Sequence, residues 1–221
     1  MKNIFLSMLF AFALSAQTQA QVSMEIKAGP VVSNWRGAGL NTFNSIVGIT
    51  GNFISRKPYT GFYAGSAAEI PVSENITLQA GLQYSQTGTV LQGDLGIKVL
   101  DILNLKAKAS MIQQTIEIPL LVKVATGKGF SVMGGPIAGY HLNNKLHVKA
   151  TALVFNMVNK TYDMNEYFEK FNMSLAGGLQ YRLENGLGIQ AIYTHNLTGI
   201  LKDRDAKVYT QSARIGLSYI F

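Results

Sequence analysis

The sequence predicts an all-β protein: an eight-stranded antiparallel transmembrane β-barrel with short turns at one end and long loops at the other. Three observations predict it. The C-terminal segment alternates, with Ala213, Ile215, Leu217, Tyr219 and Phe221 on one face and Ser212, Arg214, Gly216 and Ser218 on the other, which is the period of a strand with one apolar face. The N-terminus carries an export signal. Between them, alternating segments are joined by connections that are short and long in turn, the arrangement of an outer-membrane barrel with turns in the periplasm and loops outside.

The export signal comes first in the chain. Met1-Lys2-Asn3 gives a positive start, Ile4 to Leu14 an apolar run, and Thr18-Gln19-Ala20 a small-residue exit, which together read as a secretory signal peptide over residues 1–20, cut after Ala20. The apolar run falls short of the roughly 20 residues a spanning helix needs. Residues 21–221 are then one barrel domain. The chain has no Cys, which excludes disulfides, thiolate metal sites, cysteine nucleophiles and a lipid anchor on cysteine. With 22 Gly, 10 Tyr and 11 Phe, and little helical periodicity, the composition is that of a β protein. A formal net charge of +7 does not point to nucleic acid, because the chain is exported and its bases are scattered.

The eight strands are expected at Val22–Ser33, Tyr59–Val72, Ile76–Val90, Met111–Ala125, Phe130–Leu142, Glu169–Leu183, Leu187–Ile200 and Lys207–Phe221. Short turns fall at Ser73-Glu74-Asn75, Thr126-Gly127-Lys128-Gly129 and Glu184-Asn185-Gly186, the last with an Asn-Gly hairpin signal. Long connections fall at Asn34–Pro58, Leu91–Ser110 and Asn143–Phe168, with a shorter one at Leu201–Ala206. Within the third, Leu153–Val158 extends a neighbouring strand above the membrane. An even strand number puts both termini in the periplasm. The closing strand, with Tyr219 and Phe221 outward, is the segment that barrel-assembly machinery would engage.

The faces distinguish a membrane barrel from a soluble one. Ile76–Val90, Phe130–Leu142 and Leu187–Ile200 contain no Asp, Glu, Lys or Arg. A water-facing wall would be rich in them, whereas a Lys or Arg facing lipid near mid-membrane costs about 2–4 kcal/mol. Ile76, Leu78, Ala80, Leu82 and Tyr84 are therefore outward, and Thr77, Gln79, Gly81, Gln83 and Ser85 line a packed polar interior. Tyr84, Tyr140, Phe171 and Tyr209 toward the loops, and Phe130, Tyr181, Tyr219 and Phe221 toward the turns, form two aromatic girdles.

The charges within strands nearly balance: Glu25, Glu69 and Glu117 against Lys27, Lys123, Arg182 and Arg214. In an eight-stranded barrel, whose interior is about as wide as its side chains, they are expected to form a paired network in a plugged lumen.

With these strands in place, the chain resembles the outer-membrane β-barrel family of the Bacteroidetes that includes PorT-like proteins. The resembling segments are Ala80-Gly81-Leu82-Gln83-Tyr84-Ser85-Gln86-Thr87-Gly88, Ile116-Glu117-Ile118-Pro119-Leu120-Leu121-Val122-Lys123, Gly134-Gly135-Pro136 with Gly139-Tyr140, and Arg214 to Phe221. The resemblance implies an eight-stranded barrel, and a link to a protein-secretion apparatus through PorT itself. Fold transfers through such a match; function does not.

Catalysis and metal binding find little support. A serine hydrolase, such as a lipid-modifying acyl hydrolase or transferase, needs Ser, His and an acid within hydrogen-bond reach. His141, His147 and His195 lie near the loop side and read as solvated rim residues. Lys202-Asp203-Arg204-Asp205 lacks the ligands of a calcium loop. No catalytic, cofactor or metal site is predicted. The loops hold eleven bases (Arg36, Arg56, Lys57, Lys98, Lys106, Lys108, Lys145, Lys149, Lys160, Lys202, Arg204) against six acids (Asp94, Asp101, Asp163, Glu166, Asp203, Asp205). That excess would suit lipopolysaccharide or an acidic protein partner. The function expected is a non-enzymatic outer-membrane protein in contact with the lipid bilayer, structural or partner-docking, tied to secretion or envelope assembly. The alternatives are the lipid-modifying enzyme and a secreted soluble barrel that binds a small apolar ligand.

Overall fold

Alternating side chains put two faces on every strand, and the computed structural model shows how the chain sorts them. It describes residues 22–37, 54–94, 106–152, 155–203 and 207–221. The predicted signal peptide lies outside the described residues, as do Leu153, Val154, Lys98, Asp101, Arg204 and Asp205. The strands are β1 (Ser23–Arg36), β2 (Ile54–Pro71), β3 (Ile76–Asp94), β4 (Lys106–Gly127), β5 (Phe130–Ala152), β6 (Phe155–Asp163), β7 (Phe171–Arg182), β8 (Leu187–Asn196) and β9 (Tyr209–Ile220). Eight of them close an antiparallel ring, β1-β2-β3-β4-β5-β7-β8-β9 and back to β1. β6 pairs with β5 alone. Where the ring closes, Met24 N–H donates to the Phe221 carbonyl at 3.1 Å and Phe221 N–H to the Met24 carbonyl at 3.0 Å. Closure satisfies the backbone groups of both edges, as a span through hydrocarbon demands.

The outward face is apolar. Ile26, Leu82, Leu120, Leu175, Ile189, Ile215 and Leu217 all point away from the barrel and are exposed, an arrangement that water would penalise and lipid does not. Rings cluster at both ends of this belt: Phe130 against Tyr181 (4.6 Å between centroids) and Tyr219 against Phe221 (6.3 Å) at the turn end, Tyr140 against Phe171 (5.0 Å) and Phe62 against Tyr84 (5.5 Å) at the loop end. Ten residues separate Phe130 from Tyr140 along β5. That is about 34 Å of strand and, at a tilt of about 40°, roughly the 25 Å height of an apolar band. No described helix is long and apolar enough to cross a membrane.

Strand boundaries agree closely at the turn end, where Gly186 adopts φ 86° in the Asn-Gly turn. At the loop end they differ. β2 begins at Ile54, β3 runs to Asp94, β4 begins at Lys106 and β5 continues to Ala152. Backbone pairing continues past the lipid belt, but the outward residues there include Lys108, Lys145 and Lys149, so the apolar alternation stops before the strands do. The segment after Ala152 is likewise a strand of its own: Phe155–Asp163 turns back along Lys145–Ala152. At the other side of the barrel β7 begins at Phe171, β8 ends at Asn196 and β9 begins at Tyr209, each shorter than the sequence pattern indicates.

Candidate functional site: a lumen closed by side chains

The inward positions of the strands carry the polar chemistry. At the turn end, β1 contributes Glu25, β2 Glu69, β3 Gln79, β4 Lys123 and β7 Gln180 and Arg182. Lys123 Nζ lies 3.1 Å from Glu25 Oε2 and also donates to Glu69. Arg182 grips Glu69 with both terminal nitrogens, at 2.8 and 3.1 Å, and comes within 3.8 Å of Glu25. Gln180 donates to Glu25 at 2.6 Å and accepts from Lys123 at 2.8 Å. Gln79 donates to Glu25 and Glu69 and accepts from Lys27 Nζ at 3.2 Å. Glu25, Glu69, Lys27 and Lys123 are buried, while the Arg182 side chain is 27% exposed at the mouth.

Higher in the barrel a second pair stands apart from the first. Arg214 donates to Glu117 through both terminal nitrogens, at 2.6 and 2.8 Å, and Gln83 adds a third donor at 2.7 Å. The guanidinium lies 5.7 Å from the centroid of the Tyr63 ring, and Tyr63 accepts from Gln190 at 2.7 Å. Gly216 makes room for that ring: a Cβ there would fall on the Tyr63 hydroxyl. All seven sequence-selected ionisable residues thus line the interior, six of them in two ion clusters. Lys27 is held by Gln79.

Two features of the interior lay beyond the sequence reading. The first is an apolar patch on the β4–β5–β7–β8 wall, formed by Leu121, Met133, Ile137, Ala176 and Ile192, where a polar lining was expected. Its signal was the run Val132-Met133-Gly134-Gly135-Pro136-Ile137-Ala138, apolar on both faces as in strands buried on both sides. The second is a lid at the loop end, where Phe168, Ile200 and Val208 pack with Trp35, Met111, Met164 and Leu201. Trp35 donates its indole N–H to Gln113 at 3.2 Å, and an isolated bridge joins Phe168 to Leu201. Between lid and Arg214 remains a void of about 10 Å³ lined by Thr87, Thr115, His141, Asn172 and Thr210, room for about one water.

The histidines require a correction. His141 is not a solvated rim residue: it is buried in the lumen, with Thr115 Oγ1 2.8 Å from Nδ1 and Asn172 Nδ2 2.8 Å from Nε2. Strand alternation places it there, since its neighbours Tyr140 and Leu142 both face outward. His147 pairs with Thr161 at 2.9 Å on the β5–β6 hairpin, and His195, half-buried at the rim, contacts Arg36. Among the described residues no serine is bonded to any of the three, and no group of three or more His, Asp and Glu side chains gathers around a metal-sized site. The arrangement is chemically a plug: six of the seven ions paired in place, an apolar patch and a lid in series.

A family model described as "Outer membrane protein beta-barrel domain" matches residues 15–202. No curated protein matches the sequence. Among solved structures, Ail, the attachment invasion locus protein of Yersinia pestis, in complex with the heparin analogue sucrose octasulfate, is 14% identical with a TM-score of 0.46, over 90% of this chain and 99% of that one. The outer membrane protein OprG from Pseudomonas aeruginosa is 12% identical with a TM-score of 0.44, over 92% and 97%. CarO of Acinetobacter baumannii is 9% identical with a TM-score of 0.43, over 87% and 97%.

Proposed function

The chain belongs to the outer membrane protein β-barrel domain family, and on that premise we propose a non-enzymatic, non-conducting barrel with a structural and partner-docking role in secretion or envelope assembly. The filled lumen carries the reading. A solute crossing it would have to displace the lid, the Glu117–Arg214 fork and the turn-end network in turn, each of which is hydrogen-bonded or packed in place. His141 and its hydroxyl partner Thr115 are both buried inside the filled lumen, away from the lipid face where an acyl substrate lies, which disfavours a hydrolase, since base and nucleophile must both reach the substrate. Surface contact, not passage or turnover, is what such a barrel offers, and recognition concentrates on loops held by a rigid scaffold. The secretion link rests on the resemblance to PorT-like proteins. In this reading the turns and both chain ends face the periplasm, the loops face outward, and barrel-assembly machinery engages the strand that carries Tyr219 and Phe221.

Reconstitution of the mature chain in planar bilayers tests the plug. The expected record shows no resolved conductance steps; a stable open level overturns the reading. For docking, a photo-crosslinker at exposed Tyr167 in intact cells is expected to capture one protein at stoichiometric yield, and capture of lipid alone would reduce the role to a stand-alone barrel.

A further inference from the structure

Above the lipid belt, β2, β3, β4, β5 and β6 continue as a five-stranded sheet, and its register sets Ser55, Gln92, Lys108, Lys149 and Asn159 in one row across it. Lys108 and Lys149 are direct cross-strand partners, which places their Cβ atoms about 5 Å apart with like charges facing, an unfavourable pairing in an isolated sheet. Both side chains are exposed. Neither takes part in any ion pair among the described residues. Lys145 stands on the same face four residues nearer the membrane, opposite Asp163, and His147, also on this face, is bonded to Thr161. The face is the outward one. On β4, Lys108 has the parity of the lipid-facing Ile118 and Leu120 without interruption, and on β5 the irregularity at Gln114/Thr115 shifts Lys145 and Lys149 onto the side of Tyr140.

We propose that this row is a binding face for an anionic glycolipid of the outer leaflet, one that carries phosphates on sugars extended beyond the membrane plane. Height selects the ligand. Ile116 is level with the girdle residue Tyr140, and Lys108 lies eight residues beyond it: about 27 Å of strand, or about 20 Å above the interface at the barrel's tilt. A phospholipid phosphate stays near the girdle and does not reach Lys108, whereas phosphorylated core sugars do. Polyanion binding also explains why two lysines are held face to face: an intervening phosphate accepts from both. The inference concerns the outer wall rather than the lumen. It rests on the proposed orientation of the loop end toward the outer leaflet.

The test is titration of the purified barrel, in neutral detergent, with rough lipopolysaccharide bearing a phosphorylated core, read by native mass spectrometry. Lys108→Gln/Lys149→Gln is expected to weaken retention roughly 30-fold, while Lys170→Gln/Lys202→Gln, an equal charge loss elsewhere on the loop end, leaves it unchanged. Dephosphorylated lipopolysaccharide should bind as weakly as it does to the double variant, and phosphatidylglycerol should not compete. Equal loss in both double variants overturns the proposal in favour of diffuse charge. Undiminished binding of core oligosaccharide freed of its acyl chains overturns the glycolipid in favour of a soluble polyanion. Without glycolipid, Lys108→Gln alone should raise the unfolding temperature, since it removes the repulsion; with glycolipid that order should reverse. Labelling of loop-end lysines in intact cells by an impermeant reagent separates a wrong orientation from a wrong face.

Discussion

The barrel buries ions at two levels and secures them differently. At the turn end two carboxylates, Glu25 and Glu69, share two cations, Lys123 and Arg182, and Gln79 and Gln180 donate into the remaining positions. Halfway up, Glu117 has Arg214 as its one cation, with Gln83 beside it. Burying a charge is costly at both levels. What differs is the consequence of losing a partner: the turn-end network can redistribute, and the mid-barrel fork cannot.

Arg214→Ala should therefore give the largest effect. It strands Glu117 in the lumen and removes the cation over Tyr63, with an expected loss of about 3–5 kcal/mol, read as urea unfolding in micelles. The double variant Glu117→Leu/Arg214→Met should recover most of that loss, because replacing a buried pair by packed apolar groups is often neutral. A loss below about 1 kcal/mol for Arg214→Ala would break the comparison.

Lys123→Met comes second. Its loss leaves Glu25 and Glu69 facing Arg182, the two glutamines and the solvated mouth, so about 1.5–3 kcal/mol is expected, the range for hydrogen bonds to charged groups. Calorimetry on the two variants in the same detergent ranks them. If Lys123→Met proves the more damaging, the turn-end network is a single unit rather than a redundant one.

The two levels also differ in how far the sequence could describe them. Parity along each strand assigned Glu25, Lys27, Glu69, Glu117, Lys123, Arg182 and Arg214 to the inward face, because alternation against lipid-facing Ile26, Ile118 or Ile215 leaves no other side. Pairing was not legible. Glu117 and Arg214 are 97 residues apart, and Lys123 and Glu25 are 98 apart; which of them meet depends on the stagger of the closed sheet, a property of the whole ring. The lid was illegible for another reason. Phe168 falls in a connection, and Ile200 and Val208, expected at the ends of strands, lie beyond β8 and before β9, where no ladder fixes which side chains are buried. The loop-end strand limits were missed because hydrophobic alternation reports the solvent outside the wall, and that solvent changes from lipid to water while the hydrogen-bond ladder runs on.

Arg182→Gln should give the smallest effect, and it sharpens the contrast most. The side chain is 27% exposed, so water screens its charge, and Lys123 continues to cover Glu69 from inside the lumen. A loss of about 1 kcal/mol or less is expected. Redundancy makes a stronger demand on the double variant Lys123→Met/Arg182→Gln. With both of these cations gone, Glu25 and Glu69 keep only amide donors in direct contact, with Lys27 held off behind Gln79, so the combined loss should exceed the sum of the single losses by about 1 kcal/mol or more, within the range seen for residues of one network. Strict additivity would mean that each cation serves its own carboxylate, and that the turn end is two independent pairs built like the one at Glu117.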